Sequence, residues 1–387
     1  MRKIGYNKLI LLAVTAMVLV VMVTSGCVQS DSTAPTPLPQ APANKTVTDM
    51  AGRTVVLPAE INKVVPIYGP GYEKIVMLGA EDKIVMCADY HQTHASWAHV
   101  VYKKLDLLPA LKNPKSSTNV EDVLKYAPDA VFYFGNDKLV EKMTEVGIPV
   151  ICSVGGGSTS IESLKDQIRL YGKALGQEEE KKAEVYCTYF DKKYGYVTSI
   201  TSLISEDEKP KVYVTSGMPL RTRGGKSVMR DTVEKAGGIY VAKELPQGSM
   251  EINVEQLIEM NPDIIIIDHA PDLPDPSASA TSNTPDGRSV IAEITSDPRF
   301  KDISAVKNNR VYLSPMGAFF WDAGQQGILQ MMWMAQLFHP DEFKDLDMMK
   351  EIKEFYAEFF YYSLTDDEAS RILNHQLPVD AGRWGYT

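Results

Sequence analysis

The stretch "HQTHASWAH" sets His91, His94 and His99 within nine residues. His91 and His94, three apart, would share a helical face, and neutral imidazoles placed that way can ligate a metal ion. No cysteine or carboxylate cluster joins them. Direct ligation by His91, His94 and His99, in a metal-ion binding protein or a metal-dependent extracytoplasmic enzyme, therefore stands as the alternative to capture of a metal already chelated. "RTRGGKS" (Arg221 to Ser227) is glycine-rich and basic, but it lacks the first glycine that a phosphate-cradling loop needs. Its arginines are better read as partners for an anionic group, with Gly224-Gly225 turning the chain ahead of a helix. Gly-x-Ser-x-Gly, His-Glu-x-x-His and Cys-x-x-Cys are all absent. That argues against common hydrolases, metalloproteases and dithiol redox enzymes, and no catalytic residue is expected.

A second constellation is a repetition. "NVEDVLKYAPDAVFYFG" begins at Asn119 and "NVEQLIEMNPDIIIIDH" at Asn253, with the same spacing of Asn-Val-Glu, Pro-Asp and apolar run. Each asparagine can cap a helix, and Glu121 and Glu255 then fall in the first turn, where the helix dipole favours a carboxylate. Each Pro-Asp ends that helix and starts a buried strand. Capping alone accounts for this much.

The elements that must position these residues alternate short apolar runs with short helices, the texture of α/β domains with mostly parallel sheets. At 387 residues the chain can build two cores of ordinary size. Its net charge of −10, with basic residues massed only at the N-terminus, makes nucleic acid an improbable partner. That N-terminus has a basic head, an apolar run from Leu9 to Val23, and "TSGC" leading to Cys27. The run is short for a bilayer span and suits a secretory signal. "TSGC" resembles a lipobox, with Thr24 where leucine is usual. It sets residues 1–27 as a lipoprotein signal peptide and Cys27 as the lipidated residue, on the outer face of the cytoplasmic membrane. Residues 28–45, rich in Pro, Ser, Thr and Ala, read as an extended tether that could span up to ~55 Å at about 3.1 Å per residue. Cys87, Cys152 and Cys187 show no metal or disulfide framework, and buried free thiols are expected among them.

The folded part divides into an α/β lobe over 46–175, a long helix over 176–208, and a second α/β lobe with C-terminal helices over 209–387. Ser160 is the expected cap of the helix that Gly176 closes, and Gly195 marks where the long helix weakens. In such sheets ligands sit beyond the carboxyl ends of the strands. The loops there supply Tyr68, Tyr72, Tyr90, His91 and Trp97 from the first lobe. The second lobe offers Arg221, Arg223, Phe319 and Trp321. Aromatic faces and arginine forks suit a bulky chelate carrying negative charge.

"VTDMAGRTVVLP", "YEKIVMLGAEDKIV", "NVEDVLKYAPDAVF", "NVEQLIEMNPDIIII" and "FKDISAVKNNRVYLSP" occur in one order along the chain. Together they resemble the ABC-transporter substrate-binding proteins of the iron-siderophore, haem and cobalamin group. The likeness runs from about Thr46 to Leu373. It implies two Rossmann-like lobes joined by one rigid helix, and an iron(III) chelate as ligand, with a corrinoid or haem as alternatives. It also implies docking on a permease dimer with a cytoplasmic ATPase, through one glutamate per lobe, at positions matching Glu121 and Glu255.

Overall fold

The computed structural model describes residues 44–67, 69–89, 95–112, 120–155, 158–268, 287–322 and 324–384. The chain opens with a hairpin, β1 (Lys45–Thr48) against β2 (Thr54–Leu57). Its turn is held by Asp49, whose carboxylate accepts the Ala51 and Arg53 backbone N–H groups at 3.1 and 2.9 Å. Gly52 supplies the positive φ (77°) that the turn needs.

In the first lobe β3 (Val64–Pro66), β6 (Ala130–Tyr133) and β7 (Val150–Cys152) form a parallel sheet in the order β3-β6-β7. The parallel pair β4 (Cys87–Ala88) and β5 (Ala110–Leu111) lies beyond β3, linked through a Val64–Ile84 bridge. In the second lobe β8 (Lys211–Ser216), β10 (Ile239–Tyr240), β12 (Ile264–Asp268) and β13 (Val311–Leu313) form a parallel sheet, β10-β8-β12-β13. There β9 (Arg221–Gly224) pairs antiparallel with β11 (Gly248–Glu251). Every residue of β6 and of β12 is buried, as continuous apolar runs covered on both faces should be.

The spanning helix runs Gln177–Thr201, about 37 Å at 1.5 Å per residue, and stops short of the expected end at 208. Its first turn is tied to the first lobe by Lys83–Glu179 at 2.6 Å. At its last turn Thr201 Oγ1 donates to Lys235 O at 2.9 Å in the second lobe. The preceding helix starts at Ser163 and ends at Gly176 (φ 157°). Ser160, just ahead of it, accepts Glu162 N on its Oγ at 3.2 Å and donates the same hydroxyl to Asp231 Oδ2 at 2.9 Å. Cys87, Cys152 and Cys187 are free and buried.

The repeated segments are structural equivalents. Asp129 Oδ2 accepts Lys63 N at 2.9 Å, and Asp263 Oδ2 accepts Lys211 N at 2.9 Å, so each Pro-Asp anchors the chain entering the neighbouring parallel strand. Each helix then ends in a left-handed residue before its proline, Ala127 (φ 45°) and Asn261 (φ 40°). Asparagine tolerates that conformation, whereas alanine meets its Cβ penalty of about 1 kcal/mol. Ala127 is exposed. Ala127→Asn is accordingly expected to stabilise the protein by about 0.5–1 kcal/mol. A higher urea midpoint at unchanged slope is the readout; a lower one would refute the assignment of strain.

Candidate functional site: the carboxyl ends of the second-lobe strands

β8 and β12 end side by side at Ser216 and Asp268, and Gly217 (φ 73°) turns to donate its N–H to Asp268 O at 2.9 Å. Here Val214, Thr215, Ser216, Arg223, Met229, Tyr240 and Asp268 line a concavity at the place the parallel topology dictates. Arg223 is aimed at it by its strand. Tyr240 donates its hydroxyl to Arg223 O at 2.5 Å, and Thr222 Oγ1 donates to Val214 O at 2.7 Å, fixing β9 to the sheet. Arg223 Nη1 donates to Asp322 Oδ2 at 2.9 Å, and Asp322 is almost wholly buried (1%). Asp322 and, behind it, Asp268 hold the guanidinium above its ordinary pKa. Two carboxylates thus face one arginine. Thr215 Oγ1, on the lining, is buried with no hydrogen-bond partner among the described residues. Such groups are costly unless water or a ligand satisfies them.

The loop 314–326 carries Phe319, Phe320, Trp321 and Asp322 past this end of the sheet. It also meets the first lobe. A Cβ at Gly69, the first residue of the helix Gly69–Met77, would lie 2.3 Å from the Phe319 ring, so glycine there lets the loop pack on the helix start. Glu73, fully buried on the helix Gly69–Met77, accepts Gln325 N at 2.8 Å and Gln326 Nε2 at 3.0 Å. Burial raises the Glu73 pKa, although Lys74 and these donors oppose the rise. Lys74, equally buried, is pushed down to about 8 by the same desolvation. Gln326 in turn accepts the Tyr356 hydroxyl at 2.7 Å, which accepts Ala318 N at 2.9 Å. This network sets the position of the aromatic loop.

The candidates separate accordingly. Arg223 lines the concavity, and Arg221, two residues along the same strand, is exposed with Nε donating to Ser249 Oγ at 3.3 Å. Phe319 lies against Gly69 of the first lobe, and Trp321 is buried completely in the core. Tyr72 lies in the core instead, fully buried, donating to Glu81 Oε1 at 3.2 Å and stacked on Tyr102. Trp97 is also core, its indole N–H donated to Gln376 O at 2.9 Å. His99 Nδ1 meets Asp106 at 2.5 Å and its ring stacks on Trp384 at 4.8 Å. No group of three metal-ligating side chains occurs among the described residues. Tyr68, Tyr90, His91, His94 and Cys27 lie outside the described residues, as do residues 1–43. Glu121 and Glu255 are exposed, Glu255 behind a full capping box in which Asn253 and Gln256 exchange bonds of 2.8 and 2.9 Å. Asp268, Asp322 and Glu73 escaped sequence reasoning. Their only trace is a charge that interrupts or ends an apolar run.

Two α/β lobes, a single spanning helix and a concavity at strand ends make an architecture suited to holding a small solute. A family profile described as periplasmic binding protein matches residues 64–316, and the chain belongs to that family. It is 26% identical to the molybdate-binding protein MolA of Haemophilus influenzae over 359 residues, covering 85% of this chain and 94% of that one. A periplasmic solute binding protein from Veillonella parvula is 29% identical, with 87% and 98% coverage and a TM-score of 0.69. Helicobacter pylori CeuE with Ni(II) bound is 23% identical, with 85% and 99% coverage and a TM-score of 0.67, a likeness of fold.

Proposed function

We propose that this protein is the ligand-capturing component of an ABC importer for a metal chelate, first a ferric siderophore. In this reading Cys27 anchors it by lipid to the outer face of the membrane. The carrying observation is the Arg223–Asp322 pair at the carboxyl ends of the second-lobe strands, with Asp268 close by and Phe319 to Trp321 in the segment that leads to Asp322. A small dianion such as the molybdate of MolA would face two carboxylates for one cation. An organic chelate offers donors and acceptors to the ion pair and a ring or chain to the aromatic loop. Corrinoid and haem share that chemistry and form further arms of the test.

The test is tryptophan fluorescence titration with a ferric hydroxamate, a ferric catecholate, haem, cobalamin, molybdate and Ni(II). Saturable quenching by a ferric siderophore at submicromolar concentration is expected. Saturation by molybdate or Ni(II) alone would overturn the reading. Arg223→Ala should weaken siderophore binding at least tenfold, since a charge-assisted hydrogen bond contributes about 1.5–3 kcal/mol. It should also destabilise the chain by leaving Asp322 buried without its counter-charge. Unchanged affinity in a folded Arg223→Ala protein would remove Arg223 from the site.

A further inference from the structure

Most large apolar side chains are buried, but Leu124 is 39% exposed and Ile258 is 43% exposed. Single exposed apolar residues are ordinary. These two hold the same position of the repeat, five residues after Asn119 and Asn253. From Val120 to Ala130 and from Val254 to Ile264 the classes of exposure agree at every position. Each repeat buries one aliphatic residue completely, Val123 or Leu257, and presents the next to solvent. Leu124 is three residues from Glu121 and Ile258 three from Glu255, so each pair shares one helix face.

Each glutamate has a cation in its field, Lys125 for Glu121 and Arg299 for Glu255. Lys125 donates to Asp122 at 2.6 Å, and Arg299 forks onto Asp297 with its shortest contact at 2.6 Å. Glu121 and Glu255 are exposed, so each lobe presents an exposed carboxylate next to an exposed aliphatic side chain. Two such faces on one chain fit a partner that offers two equivalent sites.

We infer that Leu124 and Ile258 are the apolar half of a duplicated docking face, each entering an apolar socket beside the cation that receives Glu121 or Glu255 on a two-fold membrane partner. This rests on the importer reading, and its partner is the permease dimer. The carboxylates supply charge complementarity, which steers encounter and is screened by salt. The aliphatic residues supply area removed from water, which salt does not screen. The two contributions are separable by ionic strength.

The experiment measures binding of the full-length protein to its permease–ATPase complex in nanodiscs at 0.1 and 0.5 M NaCl. Leu124→Ala and Ile258→Ala should each weaken binding about fivefold, and together about 25-fold, because each removes a partly exposed aliphatic side chain at a separate site. That loss should be equal at both salt concentrations. Leu124→Gln with Ile258→Gln should lose as much at nearly constant volume. Leu124→Met with Ile258→Met should stay within about twofold of wild type, since apolar contact is kept. Ferric siderophore titration and melting temperature should be unchanged throughout. Glu121→Ala with Glu255→Ala should weaken binding mainly at the lower salt. If only the glutamate variants lose binding, the apolar inference is overturned and the docking reading stands. If neither set loses binding, docking through this face fails, and the inference with it.

Discussion

Reversing charge at both Glu121 and Glu255, to arginine, is expected to abolish ligand uptake and leave ligand affinity unchanged. Both glutamates are exposed and neither lines the concavity around Arg223. A surface substitution away from buried networks usually alters stability by less than about 0.5 kcal/mol. At a docking interface the same change places a cation against the cation of the partner. Such like-charge contact costs several kcal/mol per site, on the order of a hundredfold or more in affinity. With two equivalent sites the costs add, and productive complexes should disappear at physiological concentration. A single reversal should leave a reduced rate. Uptake of an iron-labelled siderophore by cells or proteoliposomes, beside fluorescence titration of the purified variants, decides the matter. Normal uptake by the double variant would sink docking at these positions, and lost ligand affinity would place them in the wrong site.

The repeat was legible because it is local. Asn-Val-Glu, Pro-Asp and the apolar run determine a helix, a stop and a buried strand from nearest-neighbour chemistry, with the asparagine cap formed at Asn253, and the structure repeats even the left-handed residue before proline. The parallel sheets were legible for the same reason, since "AVFY" and "IIIID" leave no polar face to turn outward. Side-chain direction in the loops was not. Tyr72 and Trp97 occupy loops and helix starts that follow strands, yet both turn into the core. Trp97 does so because the chain returns 279 residues later to offer Gln376 O to its indole. Trp384 covers His99 in the same way. No spacing in the sequence announces contacts of that separation. That "RTRG" forms a strand ahead of the glycine turn follows from β11 lying beside it, with Arg223 opposite Ser249. Only after Gly224 does the chain turn, at Gly225 (φ 62°). The acids Asp268 and Asp322 were passed over because an acid beside an arginine is invisible until the fold brings strand ends together.

Glu73→Ala is expected to be the most destabilising single change around the site. Glu73 is buried completely, and its carboxylate satisfies Gln325 N, Gln326 Nε2 and part of the charge on Lys74. Alanine would leave two buried donors unpaired, a loss of about 2–6 kcal/mol. Glu73→Gln keeps one acceptor and no charge, and should lose only about 1–2 kcal/mol. The two also differ in their response to pH. Burial raises the Glu73 pKa above its ordinary 4.5, so the folded state holds a proton that the unfolded state has released. Stability of the wild type relative to Glu73→Gln should therefore fall as pH rises from 4.5 through the folded-state pKa, and urea denaturation at a series of pH values reads this directly. A rise would mean the carboxylate is held ionised. Gly324 tests the same contact from the other lobe. A Cβ there would lie 1.8 Å from Glu73 Oε2, so Gly324→Ala should displace the carboxylate and with it the loop that carries Phe319 to Asp322. Each single variant should weaken siderophore binding by moving that loop. Because both act on one contact, Gly324→Ala should cost far less in a Glu73→Ala background than in wild type. Additive losses would mean that the two residues act separately, and that Glu73 contributes to stability without setting the position of the aromatic loop.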